Sequence, residues 1–361
     1  MFTTRLLCAL LFVIFLCGAV TVAADVIAHL DIQIGNFSFF SDGISSNAGP
    51  QRITVGPDGN MWFADHGANS IGRVTMAGEI TEFSDGITTG AGLRGIAAGS
   101  DGNIWFTEYQ LDRIERITPD GVVTEFSDGI SSGAYPWDIA AGPDGNLWFT
   151  EAEGSQIGRI TPDGVVTEFS TGITFNSSPY DIVLGNDGNL WFTEYAIAGI
   201  GKISPLGSVT EFRGALPINE EIFDIAAGPD GNFWFTYMNN GGGIGQITQD
   251  GAITLFNGGS GGFFPAYGIT VDSGNNVWFT GQIGNNALNA EISLLSLSGA
   301  GEDYEPAPPN PVTPKFLTEG PDGNLWFTQQ PNFGGTHSIG RLNVRIFANG
   351  FDNPASISNA R

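Results

Sequence analysis

The chain has 361 residues, of which 38 are Asp or Glu and 13 are Lys or Arg, giving a formal net charge of −25. No basic cluster exists, which excludes sequence-independent binding to nucleic-acid phosphates, a contact that needs positive charge. A hydrophobic fraction of 41% is too high for a disordered acidic tail, and 53 glycines, about twice the usual ~7%, imply many tight turns between many short strands.

The first 24 residues carry one charge, Arg5, then the apolar run Leu6–Val20 and the small residues Val22-Ala23-Ala24. That order reads as a secretory signal peptide over 1–24, so a secreted or periplasmic protein is expected. Leu6–Ala24 is uncharged for 19 residues, which keeps an uncleaved membrane anchor as the rival. No other membrane contact is expected. Both cysteines, Cys8 and Cys17, lie in this segment. The rest of the chain therefore offers no disulfide, thiol nucleophile or Cys-ligated zinc. A tether over 25–35 follows.

From residue 36 onward one phrase recurs, Gly-Pro-Asp-Gly-Asn-x-Trp-Phe with variations. Its Trp falls at 62, 105, 148, 191, 234, 278 and 326, at spacings of 43, 43, 43, 43, 44 and 48. Trp137 stands outside the series. One clean copy, Trp137 to Ser170, holds four β-prone runs: Trp137–Ala141, Asn146–Glu151, Gln156–Thr161 and Val165–Ser170. Asp-Gly separates the first pair and the last pair, a hairpin signal because Gly adopts positive φ without strain. The unit is a four-stranded antiparallel meander. Its length and strand count match a propeller blade.

The fold expected is all-β: a seven-bladed β-propeller of four-stranded antiparallel blades, one domain over 36–348. Phe37–Ser41 resembles the end of a blade and should supply the outer strand of the last one, beside Ile339–Val344, joining the two chain ends. Val344–Ala348 could compete for that slot. A Pro-rich insertion, 298–315, lengthens the last repeat, and 349–361 is a C-terminal tail. The repeated Trp and Phe should pack blade on blade. The Asp-Gly-Asn turns lack the dense carboxylate spacing of an EF-type calcium loop.

Ile139–Glu151 with Ile157–Phe169, and Ile182–Glu194, carry the pattern Ile-x-x-Gly-Pro-Asp-Gly-Asn-Leu-Trp-Phe-Thr-Glu … Ile-Gly-Arg-Ile-Thr-Pro-Asp-Gly-x-x-Thr-Glu-Phe. Over about residues 36–344 the chain resembles the virginiamycin B lyase (streptogramin lyase) family. The resemblance implies a seven-bladed propeller and an enzyme that opens the ester of a cyclic peptide antibiotic by elimination with Mg²⁺. It also implies a Pro-His-x-Ile motif in each of the last two blades, and a Glu four residues after the last repeat Trp. Here the corresponding residues are Tyr267, Lys315 and Gln330. Lys315 could serve as a base and Tyr267 as a proton donor. His66 beside Asp65 is a further candidate pair. His29 falls in the tether, and His337 is expected on an exposed loop.

Two repeat columns vary, and variable columns on one face can carry function. The column two before the innermost-strand Ile or Leu reads Gln51, Arg94, Trp137, Tyr180, Phe223, Tyr267 and Lys315. These should ring the mouth of the central channel. Aromatic faces stack on flat rings, and two cations in an acidic chain would attract an anion. The alternative is that the aromatics plug the channel. The column three after the Trp reads Asp65, Glu108, Glu151, Glu194, Tyr237, Gly281 and Gln329. Its acids should pair with a nearby Arg of their own or a neighbouring blade, such as Arg73, Arg116 or Arg159. Alternatively Glu108, Glu151 and Glu194 converge on a divalent cation.

The expected function is therefore a ligand- or protein-binding module using the aromatic mouth, taking a small molecule, cyclic peptide, glycan or protein. A Mg²⁺-dependent carbon–oxygen lyase and a metal-dependent lactonase are the alternatives. A monomer is expected, with no cofactor required for binding and Mg²⁺ for the lyase reading.

Overall fold

The computed structural model describes residues 31–214, 216, 220–238, 242–256, 263–264, 267–283, 290–295, 301–304, 312–331 and 336–347. The leader, His29, most of the tether, the centre of the Pro-rich insertion and the tail lie outside them. Seven sheets follow one another along the chain. Blade 1 runs Pro50–Val55, Met61–Asp65, Ser70–Val74, Ile80–Phe83, and blades 2 to 5 repeat that order. The first strands of successive blades neighbour one another around the ring, and the first strand of blade 7 meets that of blade 1.

The third blade shows why the sequence folds this way. Its strands are Pro136–Ala141, Leu147–Glu151, Gln156–Ile160 and Val166–Phe169, within a residue or so of the expected runs. Gly145 and Gly164 in its two Asp-Gly turns take φ of +80° and +89°. The repeat Trp lies on the second strand and is fully buried in six of the seven blades, with Trp234 at 8%. Each packs across to the next blade: Trp148, for example, clusters with Ile182, Leu190 and Ile203 of blade 4. The turn Asp is a structural acceptor. Asp144 takes the indole N–H of Trp148 at 3.2 Å and the amide of Asn146 at 2.7 Å.

Arg73, Arg116 and Arg159 do not meet the acid column. Each lies over the repeat Trp and the outer-strand Phe of its own blade, as Arg73 does over Trp62 and Phe83 at 5.5 and 5.4 Å. Each then donates to a proline carbonyl of the next blade: Pro119, Pro162 and Pro205, at 3.0, 2.9 and 3.2 Å. Their nearest acids are the turn residues Asp58, Asp101 and Asp144, at 3.8, 3.5 and 3.9 Å. The third strand places these side chains at the Asp-Gly end of the blade, and the acid column instead meets Arg113, 3.8 Å from Glu108, and Arg213, 3.8 Å from Glu194, each in its own blade.

Blade 7 is completed by the N-terminal strand. The order is Asp31–Phe40, Ser338–Phe347, Leu325–Pro331, Val312–Glu319, so the N-terminal segment takes the outer slot. The strand begins at 31, inside the segment expected to be tether. The insertion is also shorter than expected, because Gly301–Tyr304 pairs as the outer strand of blade 6 and Val312 already starts blade 7. Pro314 fits there because it stands at a register shift, where no ladder N–H is required of it.

Candidate functional site

The innermost strands do more than line the channel. In blade 3, Pro136 pairs with Glu151 and Ile139 with Phe149, so Trp137 and Asp138 together face the single residue Thr150. The same shift recurs in blades 1, 2, 4, 5 and 7. A bulge of this kind re-aims side chains. Here it sends two successive residues to two levels of the channel. The repeat Thr holds it in place. Thr150 Oγ1 accepts from Asp138 N at 3.0 Å and donates to the carbonyl of Tyr180, in the next blade, at 2.9 Å. Thr107, Thr193 and Thr280 do the same for the carbonyls of Trp137, Phe223 and Lys315.

The lower level is a closed ion cluster. Arg52 crosses the channel from blade 1 and meets Asp138, Asp181 and Asp224 at 3.1, 2.7 and 2.8 Å. Its guanidinium lies 4.6 Å from the ring of Phe316. Burial alone would lower the Arg52 pKa, but the three carboxylates outweigh it and hold it well above its usual value. Two of those carboxylates also accept a backbone N–H from the next blade at short distance: Ile225 N to Asp181 at 2.6 Å, and Ile269 N to Asp224 at 2.7 Å. Burial leads in raising the Asp181 pKa, with its two acidic neighbours adding to it.

The upper level is open. All seven residues of the mouth column line a cup of about 180 Å³, with Arg52 and Phe316 as its floor and Gln330 at its wall. Trp137 and Tyr180 lie 4.2 Å apart, and Phe223 stands edge-on to Tyr180 at 5.4 Å. The aromatic arc continues outward. Tyr109 meets Trp137 at 5.0 Å and Tyr195 stacks on Tyr180 at 5.2 Å. Arg94 lies over Trp137 at 4.6 Å, and Lys315 over Tyr267 at 3.6 Å. Burial lowers the pKa of both cations, that of Lys315 to about 8. Among the described residues neither cation has a carboxylate within ion-pair distance.

The other candidates fall outside the cup. Asp65 is fully buried and accepts from Gly49 N at 2.7 Å and Ala68 N at 2.8 Å, so its carboxylate holds two loops together rather than orienting His66. Burial and then the charge of Arg94 lower the His66 pKa. His337 is half-buried rather than exposed. Glu108, Glu151 and Glu194 are fully buried but do not converge, because each turns toward its own blade. Burial and then the neighbouring Glu168 push Glu151 up to about 9, and burial with Glu211 pushes Glu194 up to about 8. Among the described residues, the acids whose oxygens do gather within 4.8 Å are Glu108, Glu115 and Glu125, all of blade 2.

Arg52, Phe316, Tyr109 and Tyr195 are site residues that sequence reasoning missed. A signal existed for the first two. The column one before the innermost Ile reads Arg52, Gly95, Asp138, Asp181, Asp224, Gly268 and Phe316, one cation against three acids. Tyr109 and Tyr195 stand on loops whose course the repeat does not determine.

Mg²⁺ is the metal that the family resemblance implies. The three positions concerned, Tyr267, Lys315 and Gln330, do gather at the cup. Among the described residues lining it, however, the charged ones are Arg52, Arg94 and Lys315, with no carboxylate. Gln330 donates its amide to Pro50 O at 3.2 Å. A hard divalent cation requires oxygen ligands and is repelled by three cations, so these residues do not fit it.

The Virginiamycin B lyase family model matches residues 20–257 and 139–300. No curated protein matches the chain. Among solved structures, a streptogramin B lyase is 30% identical, covering 86% of this chain and 98% of its own, with a TM-score of 0.73. Selenomethionine-substituted virginiamycin B lyase from Staphylococcus aureus is 31% identical over 86% of this chain and 99% of its own, at 0.75. A catalytically inactive variant of the Staphylococcus aureus enzyme, with quinupristin, is 32% identical over 85% and 99%, at 0.74. With its seven blades and its repeat matched over most of its length, this chain belongs to the virginiamycin B lyase family.

Proposed function

We propose that this family member is a binding protein whose ligand enters the aromatic cup with an electron-rich oxygen toward Arg94 and Lys315. One observation carries the reading. The cup joins stacked aromatic faces to two cations that no carboxylate answers among the described residues. Aromatic faces favour flat rings and sugars, while unpaired cations favour anionic or carbonyl oxygens. At about 180 Å³ the cup is on the scale of one ring, below the ~300–1,000 Å³ that whole drug-sized ligands fill. A larger molecule such as a cyclic peptide would insert one side chain and rest on the outer arc of Tyr109 and Tyr195. The leader-like segment 1–24 supports action outside the cytoplasm.

A second reading is a metal-free carbon–oxygen lyase. Lys315, held at about 8 by burial, would take the proton beside a carbonyl, and Tyr267 would supply one to the leaving oxygen. The lactonase alternative loses the ligand set first considered for it, because Glu108, Glu151 and Glu194 do not converge.

The test is incubation of the purified protein with quinupristin and a panel of small lactones, with Mg²⁺ and with chelator, read by mass spectrometry. Binding follows in parallel from tryptophan fluorescence. Saturable binding without turnover, lost in Trp137→Ala and Tyr180→Ala, supports the binding reading. Turnover that survives chelation and disappears in Lys315→Gln establishes the lyase reading instead. Mg²⁺-dependent linearisation overturns both.

A further inference from the structure

The chain contains two lysines, Lys202 and Lys315, and the fold gives them opposite surroundings. Lys202 is a clamp. Its Nζ donates to Gln249 O at 3.4 Å, sits 3.9 Å from Asp187 and lies over Trp191 at 5.0 Å. Lys315 has no such acid among the described residues. Its Nζ stands 3.6 Å from the centre of the Tyr267 ring, inside the cup.

The backbone that presents this amine is fixed on both sides. Thr280 Oγ1 donates to the Lys315 carbonyl at 2.6 Å, and Phe316 N donates to Thr328 Oγ1 at 3.3 Å. The other charged or titratable groups lining the cup are Arg52, Arg94, Tyr180 and Tyr267. Two of them are cations and none is a carboxylate, so nothing in the cup favours the ammonium form by ion pairing. An aromatic face and a desolvated amine are the two elements of a carbonyl-capturing site.

We propose that Lys315 is a nucleophilic amine that condenses reversibly with the carbonyl group of an aldehyde- or ketone-bearing ring seated on the aromatic arc. The Nζ lone pair attacks the carbonyl carbon while the C=O π pair moves to oxygen, and one Nζ proton passes to that oxygen, giving a carbinolamine. That intermediate loses the hydroxyl with the remaining Nζ proton as water, leaving a C=N bond. No oxidant or reductant enters the step. Burial, which lowers the amine toward neutrality near pH 8, supports the assignment. The inference rests on the reading of the cup as a binding site for a ring.

The experiment treats the full protein with one equivalent of 4-carboxybenzaldehyde and sodium cyanoborohydride, whose hydride reduces the imine to a stable secondary amine. Intact mass and peptide mapping then locate the adduct. The expected result is one lysine adduct, on Lys315, formed on the order of tenfold faster than on Nα-acetyl-lysine, with Lys202 unlabelled. Lys315→Arg keeps the positive charge and should abolish the adduct at unchanged melting temperature. Equal labelling of the two lysines, or none on Lys315, overturns the proposal. Terephthalate, which matches the probe in shape but forms no imine, separates the two claims. Its saturable quenching of tryptophan fluorescence without labelling by the aldehyde sinks the imine alone, whereas labelling of Lys315 without terephthalate binding sinks the ring-binding cup beneath it.

Discussion

Two levels of the channel are built from successive residues of the same strands, yet they treat charge in opposite ways. Below, Arg52 is matched by Asp138, Asp181 and Asp224, all within 3.1 Å. Above, Arg94 and Lys315 rest on aromatic rings with no acid in reach among the described residues. A buried ion cluster that satisfies itself has nothing left to offer a ligand. Cations held by rings, worth about 0.5–2 kcal/mol each, still have their attraction for an oxygen unmet. The lower ring is therefore the floor, and the upper ring is the candidate site.

The comparison breaks most severely at Arg52. Arg52→Ala strands three buried carboxylates around a vanished cation, and removing one partner of a buried pair costs about 3–5 kcal/mol. Chemical denaturation should show a loss of that order. A loss under about 1 kcal/mol would mean that the acids do not depend on Arg52.

Next in size is a change outside the channel that leaves both rings in place. In the third strand of blade 3, a Cβ at Gly158 would lie 2.1 Å from Phe149 Cζ. Gly158→Ala should cost about 1–3 kcal/mol through overpacking, while ligand binding at the cup persists. Blade 2 carries Glu115 in that column, so Glu115→Gly should be tolerated there.

A smaller effect separates the buried acids from the cup. Glu151 and Glu194 have native pKa values of about 9 and about 8, above the usual 4.5. The native state then binds more protons than the unfolded chain between those limits. Stability is therefore greatest near the lower limit and falls as pH rises toward 9. Melting temperatures from pH 5 to 9 should decline by several degrees, and Glu151→Gln with Glu194→Gln should flatten the decline. A flat wild-type profile would show that these carboxyls are ionised in the native state.

The smallest effect on stability belongs to the upper ring, and it carries the largest effect on binding. Tyr180→Ala and Trp137→Ala should each cost about 1–2 kcal/mol, less than a fully buried aromatic at ~3–5 kcal/mol, because these rings are only partly covered. Isothermal titration with a bound ring should nevertheless show at least about a tenfold loss of affinity, or about 1.4 kcal/mol. Retained affinity in both variants would make the arc a plug.

Much of this was legible in residues alone. Trp148, Asp144 and Gly145 announce a blade because a hairpin, its hydrophobic strand and its indole-to-Asp bond are all local. The mouth column was legible for the same reason, since a constant period puts Gln51 and Lys315 at equivalent places. The acid column misled. Asp65, Glu108, Glu151 and Glu194 share a position in the repeat, but their partners belong to each blade separately: Gly49 and Ala68 amides for Asp65, Glu168 for Glu151 and Glu211 for Glu194.

The sequence by itself determined the seven blades, their strands and the identity of the residues at the mouth. Each follows from short-range periodicity and turn chemistry repeated at a fixed interval. The tertiary structure decided which of those residues answer one another. Arg52 and Asp224 are 172 positions apart and meet only because the ring closes. The bulge that divides each strand end between floor and cup appears only when the strands pair. Charge balance inside a channel is a property of the closed ring, so which cations meet an acid and which rest on rings becomes visible only when the blades have been brought together.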